Sequence, residues 1–181
     1  MNRNEIMSYK VTEHLRNQQA ITIRAVSPDD KGLVIEALAD LSADSIYRRF
    51  FTFKQNISPK GLKQVTEVDF HNAVALVAVL EKDGTEQLAG GGRYIRSGLS
   101  KAEEKAEVAF LVHDAFQGLG IGSIILKHLV AIARESGITE FEAEVLPSNE
   151  AMLKVFTRSG LPVVRRATRE SIQVSIKLVK E

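Results

Sequence analysis

The sequence predicts a mixed α/β domain, a central sheet flanked by helices, and three observations carry that expectation. Segments such as AITIRAV (20–26) and TEFEAEVL (139–146) alternate apolar with polar residues, as half-buried strands do. The segment GIGSIILKHLVAIARESG repeats apolar residues at 121, 125, 129 and 132, one buried helix face ended by Gly137. Between the strand AEVAFLVH and that helix lies HDAFQGLGIGS, with Gly118, Gly120 and Gly122 at every second position. Inside a helix each glycine costs about 1 kcal/mol against alanine, so something other than helix propensity favours them.

In chain order, residues 1–19 read as an N-terminal extension and residues 20–181 as one domain. After the strand at 20–26, Ser27, Pro28 and Asp30 supply an N-cap, a proline at the first helical position and an acidic third residue, opening a helix to about Leu41. LSADSIYRRFF (41–51) predicts a short helix capped at Ser42, with Arg48 and Arg49 solvating it. SPKGLKQVTEV (58–68) predicts another, opened by Ser58 and Pro59. The strands NAVALVAVLEKD and TEQLAGGGRYIRS flank a Lys82-Asp83-Gly84 turn, and Gly90, Gly91 and Gly92 mark a bulge or a close backbone approach in the second. A charged loop, the strand at 106–113, the long helix and the strand at 139–146 follow. Pro147, a helix from about Asn149 to Ser159, and the strands LPVVRRATR and SIQVSIKLV complete the chain.

Composition excludes several classes of function. A chain of 181 residues, 44% hydrophobic and 26% charged, is an ordinary folded domain. Its longest apolar runs, such as NAVALVAVL, fall short of the roughly 20 residues that cross a membrane, and the N-terminus lacks the apolar stretch of a signal peptide. The expected location is the cytoplasm. Twenty-four Lys and Arg against twenty-three Asp and Glu leave +1, so no global field draws the protein to nucleic acid. The absence of cysteine removes disulfides, zinc thiolates and a cysteine intermediate, and His14, His71, His113 and His128 lack metal-ligand spacing. No metal is expected.

Glycines between a strand and a helix start suit a phosphate, because the first helical N–H groups lack internal acceptors and carry the positive end of the dipole. From Gly118 the spacing fails the dinucleotide fingerprint G-x-G-x-x-G, and Gly122-Ser123-Ile124 fails the Walker ending. Gln117-Gly118-Leu119-Gly120-Ile121-Gly122 instead matches Q/R-x-x-G-x-G/A, and the chain here resembles the GNAT superfamily of N-acetyltransferases. AEVAFLVHDAFQGLGIG resembles the acetyl-CoA strand, turn and helix of that superfamily, and LPSNEAMLKVFTRSGL its later asparagine-containing helix. LSADSIYRRFF and AVALVAV are similar to the acetyltransferase domain of bacterial protein lysine acetyltransferases, and the resemblance spans about residues 20–181.

The resemblance implies a GNAT fold, a mostly antiparallel twisted sheet of six to seven strands in which the strand near 106–113 splays from a parallel partner near 139–146. It implies pantetheine of acetyl-CoA against the backbone of Phe110, Leu111 and Val112, and diphosphate on the amides of Gly118, Leu119, Gly120, Ile121, Gly122 and Ser123. Gln117 would help close the turn, and Asn149 would bond the pantetheine arm or a water. An amine acceptor with a pKa near 10.4 needs a base, and the A-E-V-A-F frame puts Glu107 where the family carries a partly buried glutamate. Without the resemblance, Glu107 in KAEEKAE reads as a solvated strand-edge charge. Phe156 stands where many members have a tyrosine acid.

His113 reads as a structural turn residue, His71 as a candidate for the acceptor side, and Glu142 with Glu144 as an exposed strand face or an acceptor contact. The implied activity is acetyl transfer to a primary amine, a protein lysine before a small amine or polyamine. An acyl-CoA-binding sensor without catalysis is the rival from another class.

Overall fold

The computed structural model describes residues 1–50, 57–97 and 104–178, the side chains of residues 48–50 excepted. Arg48 and Arg49, expected to solvate their helix, fall among those excepted side chains. The described chain folds into eight strands: β1 (Lys10–His14), β2 (Ala20–Ala25), β3 (Ala73–Lys82), β4 (Thr85–Arg96), β5 (Lys105–Val112), β6 (Glu140–Val145), β7 (Val163–Ala167) and β8 (Ile172–Lys177). They form one sheet in the order β1-β2-β3-β4-β5-β6-β8-β7. Every neighbouring pair is antiparallel except β5 with β6. The α-helices among the described residues are α1 (Arg3–Met7), α2 (Lys31–Ala39), α3 (Ala43–Phe50), α4 (Pro59–Thr66), α5 (Ile121–Glu135) and α6 (Glu150–Thr157).

Local chemistry starts the helices as the sequence predicts. Ser27 accepts from Asp29 N–H, Asp30 accepts from Ser27 N–H at 2.7 Å, and the resulting single 3₁₀ turn leads into α2. Ser58 Oγ accepts from Gly61 N–H at 3.0 Å with Pro59 at the first helical position, and Ser42 Oγ accepts from Ser45 N–H. Arg24 clamps Asp30 bidentately at 2.7 and 2.9 Å and also reaches Glu86, tying the first turn of α2 to β2 and β4. The stripe Ile121, Ile125, Leu129 and Ile132 is at most 1% exposed and forms the centre of the core with Tyr94, Phe141 and Phe156.

Residues 1–19, set apart at the level of sequence, supply α1 and β1, one strand beyond the expected count. β1 pairs in register along β2, and Ile6 and Leu15 are 3% and 2% exposed against the main core. Tyr9, Glu13 and His128 fasten this segment to α5: the Tyr9 hydroxyl lies 2.5 Å from His128 Nδ1, and His128 Nε2 lies 2.9 Å from Glu13 Oε1. A carboxylate only accepts, so Nε2 carries hydrogen and, in the neutral ring, Nδ1 accepts from tyrosine. The alternation of K-V-T-E-H is short and polar, so only pairing with β2 makes it a strand.

Two irregularities shape the sheet. The β3–β4 register shifts between Ala78 and Val79, leaving Ala89 as the extra residue of a bulge beside Gly90. The parallel pairing of β5 with β6 covers only Lys105, Ala106 and Glu107 opposite Glu140, Phe141 and Glu142. Beyond Glu107 the two strands part, which exposes the β6-facing edge of β5 from Val108 to Val112.

Candidate active site

A cleft of about 300 Å³ opens where β5 leaves β6. One wall is β5 at Phe110, Leu111 and Val112, the floor is the glycine turn with the start of α5, and the far wall is α6. Gly118 and Gly120 adopt φ of +80° and +96°, conformations that side chains resist. Gly120 is the N-cap of α5, and no side chain caps the helix there. The first backbone bond into the helix is Ile124 N–H to Gly120 O at 3.1 Å, so the amides of Ile121, Gly122 and Ser123 precede the helical ladder. An added Cβ at Gly118 would meet nothing within 4 Å, and one at Gly122 would lie 3.4 Å from Val155 and 3.9 Å from Val112. Bare amides, the positive end of α5 and an unobstructed approach fit the diphosphate of coenzyme A.

Gln117 closes this turn through its side chain, donating to Asp114 Oδ1 at 2.9 Å and Ser45 Oγ at 3.2 Å. Asp114 also accepts from Ser42 N–H at 2.6 Å and from the Ser45 hydroxyl, which joins the turn to the start of α3. Burial disfavours its charge, but the bonds from Ser45 and Ser42 outweigh that and hold the carboxyl below the usual range. Asn149 lines the far wall, where its Oδ1 accepts from Met152 N–H at 3.2 Å and starts α6, leaving its NH₂ group for the cleft. Leu119, expected to contribute its amide, packs its side chain against the core, and its carbonyl accepts from Arg16 N–H at 3.2 Å.

Glu107 stands at the last register position of the parallel pair, opposite Ile95 and Glu142. It is exposed, not partly buried as expected. Alternation along β5 puts Ala109 and Leu111 on the same face as Glu107, and Phe110 on the other. On the Glu107 face, an apolar cavity of about 110 Å³ lies under α2, floored by Gly90, Gly91 and Gly92 and walled by Ala109 and Leu111. Leu111 borders both this cavity and the cleft.

Phe156 is 1% exposed and packs edge-on to Phe110 at 5.9 Å, part of the core beneath the cleft. His113 accepts from Ala115 N–H and stacks near Phe116, a turn-forming role. His71 is exposed and borders neither cavity. Glu142 meets Lys105 at 3.2 Å and Glu144 accepts from Ser171 at 2.6 Å, so both carboxylates on that face have partners. Among the described residues, no group of His, Asp and Glu is placed to hold a metal ion, and no helix is long and apolar enough to cross a membrane. Sequence reasoning did not anticipate Arg16, Ser45, Lys154 and Arg158, which also line the cleft. Arg16 reaches it across 102 positions of sequence, a distance at which no local pattern gives a signal.

A mixed α/β sheet whose one parallel pair splays apart, with a glycine turn of bare amides at its mouth, defines the class of fold. The profile of the acetyltransferase (GNAT) family matches residues 42–161, and the chain belongs to that family. Its sequence is similar to acetyltransferase Pat of Mycolicibacterium smegmatis, 32% identical over 83% of this chain and 44% of that protein. It is also similar to acetyltransferase PA5475 of Pseudomonas aeruginosa, 27% identical over 92% of this chain and 87% of that protein. The chain thus spans under half of the Mycolicibacterium relative and most of the Pseudomonas one. Its fold superimposes on the GNAT domain of S. lividans PAT with a TM-score of 0.84 at 34% identity, covering 93% of this chain and 96% of that one. Family and relatives alike are acetyltransferases.

Proposed function

We propose that this chain transfers acetyl from acetyl-CoA to the side-chain amine of a lysine on a protein, with Glu107 as the general base. One observation carries the reading: β5 and β6 separate immediately after Glu107, so the glutamate stands at the apex of the gap whose far end is the glycine turn. Phe110, Leu111 and Val112 would hold the pantetheine arm through the strand edge that β6 leaves open, as an added strand is held. The amides of Gly118, Leu119, Gly120, Ile121, Gly122 and Ser123 would hold the diphosphate, Gln117 would brace the turn, and Asn149 would meet the arm from α6.

Acetyl-CoA supplies a thioester, an acyl group already activated toward amines. Glu107 takes the proton from the incoming ammonium, which frees the nitrogen lone pair for the new C–N bond. Its exposure lets a bulky acceptor approach. Phe156 cannot return a proton to sulfur, and a thiolate with a pKa near the ordinary thiol value of about 8.5 departs without strong acid help. The acceptor class comes from the similarity to bacterial protein lysine acetyltransferases.

The test is transfer measured against lysine-bearing proteins and small amines, with mass spectrometry locating the acetyl group. Glu107→Gln is expected to lower kcat/KM by about 10²- to 10⁴-fold while calorimetric affinity for acetyl-CoA stays within twofold. Full activity in that variant, or acetylation confined to hydroxyls, would reject the assignment.

A further inference from the structure

Nothing in the glycine turn supplies a full positive charge, yet a diphosphate carries at least two negative ones. Arg16, in the tight turn between β1 and β2, is the cation nearest the turn's backbone. Its Nη1 donates to Gly118 O at 3.1 Å, and its backbone N–H donates to Leu119 O at 3.2 Å. A Cβ built on Gly120 would find the Arg16 side chain at 3.6–4.0 Å, so the guanidinium lies across the turn itself. Lys154 and Arg158 border the same cleft from α6, on the opposite wall.

We propose that Arg16 is a diphosphate ligand of the coenzyme A site, carried to it by the N-terminal hairpin. The inference rests on the cofactor reading above and adds a residue that lies outside the glycine motif. Two backbone carbonyls of the turn would repel an anion, and Arg16 engages both, leaving the amides at the start of α5 turned to the cleft. A guanidinium has five donors and keeps its charge at any physiological pH. The bond to Gly118 uses one donor, and the others remain for phosphate oxygens.

The hairpin is built to hold that cation in place. Leu15, beside Arg16, is 2% exposed, and Leu15 N–H bonds Gln19 O at 2.9 Å across the turn. Gln18 N–H bonds Leu15 O at 2.9 Å, with Gln18 at φ +68°. Glu13 is bonded to both Lys127 and His128 of α5, which ties β1 to the helix that begins at the glycine turn. The first nineteen residues then belong to the cofactor site as well as to the sheet.

Calorimetric titration of the whole chain with coenzyme A and with 3′-dephospho-coenzyme A tests this. Arg16→Gln is expected to weaken both ligands alike, by about tenfold or more, as loss of a charge-assisted bond does. Arg16→Lys should recover part of that loss, and raised salt should narrow the gap between wild type and Arg16→Gln. Thermal unfolding without ligand should leave both variants near wild type, since the side chain is exposed; Arg16→Lys binding as weakly as Arg16→Gln despite an intact fold would oppose the idea. Affinity of Arg16→Gln within twofold of wild type overturns it. A loss seen with coenzyme A alone also overturns it, by placing the cation at the 3′-phosphate. Failure of the wild-type chain to bind either ligand would instead bring down the cofactor reading.

Discussion

Gly90, Gly91 and Gly92 in β4 and Gly118, Gly120 and Gly122 at the head of α5 are triplets of one residue used for different physical ends. In β4 none of the three has a positive φ, and the missing side chain makes room: a Cβ on Gly92 would come within 2.6 Å of Ile125 Cγ2 and 2.7 Å of Phe110 Cδ1. A Cβ on Gly90 would meet Leu111 O at 2.9 Å. In the turn, space is abundant, and what glycine supplies is the left-handed backbone of Gly118 and Gly120. The first triplet brings α5 down onto the sheet; the second turns the chain into α5 with its amides bare. Position in sequence already separates the two uses: the first triplet falls inside a strand pattern, the second between a strand and a helix start.

The comparison breaks most visibly at Gly92. Gly92→Ala should cost about 1–3 kcal/mol by overpacking between Ile125 and Phe110, read as a lower urea midpoint at unchanged m. An unshifted midpoint would mean that α5 has slack and that the close-approach account is wrong. Gly120→Ala should cost less in stability, about 1–2 kcal/mol for a left-handed alanine. Its larger effect should be on coenzyme A, with Kd raised about tenfold as the turn relaxes and its amides lose their aim. Equal affinity in that variant would show that the amides of this turn do not hold the ligand.

A smaller effect should appear on acidification, at the support of the second triplet. Burial holds the His128 imidazolium form back, so its pKa lies below the ordinary 6.5 even though Glu13 favours the charge. As pH falls below 6.5 the unfolded chain takes up this proton before the folded one does, so stability is complete above that value and declines beneath it. Glu13, held below its usual 4.5 by the bond from Lys127 against the pull of burial, adds a second loss at lower pH. Thermal midpoints from pH 7 to 5 should therefore fall more steeply in wild type than in His128→Gln. Parallel profiles would show that the Tyr9–His128–Glu13 seat does not titrate in this range.

Much of the fold was legible because its signals are local. Ser27 with Asp30, Ser42 and Ser58 cap their helices as their spacing predicts, and Gly137 at φ +81° ends α5. Gln117 and the turn glycines were legible for the same reason, since a strand, a turn and a helix start lie within a dozen residues. Other features were not. The strand character of Lys10–His14 comes from its pairing with β2, and the exposure of Glu107 is set by what packs around it in space. Asp114 becomes the joint between Gln117 and α3 only because Ser42 and Ser45 fold against it from some seventy residues away.

The sequence alone determined the alternation of strands and helices, the place of the buried stripe on α5, and a turn whose amides can meet an anion. Each is set by residues within a few positions of one another, where spacing and backbone preference decide the outcome. The tertiary structure decided where β5 leaves β6, which faces Glu107 and Leu111 share, and that Arg16 reaches the turn. Those relations join residues far apart in the chain, and the packing of a common core, rather than any local pattern, brings them together.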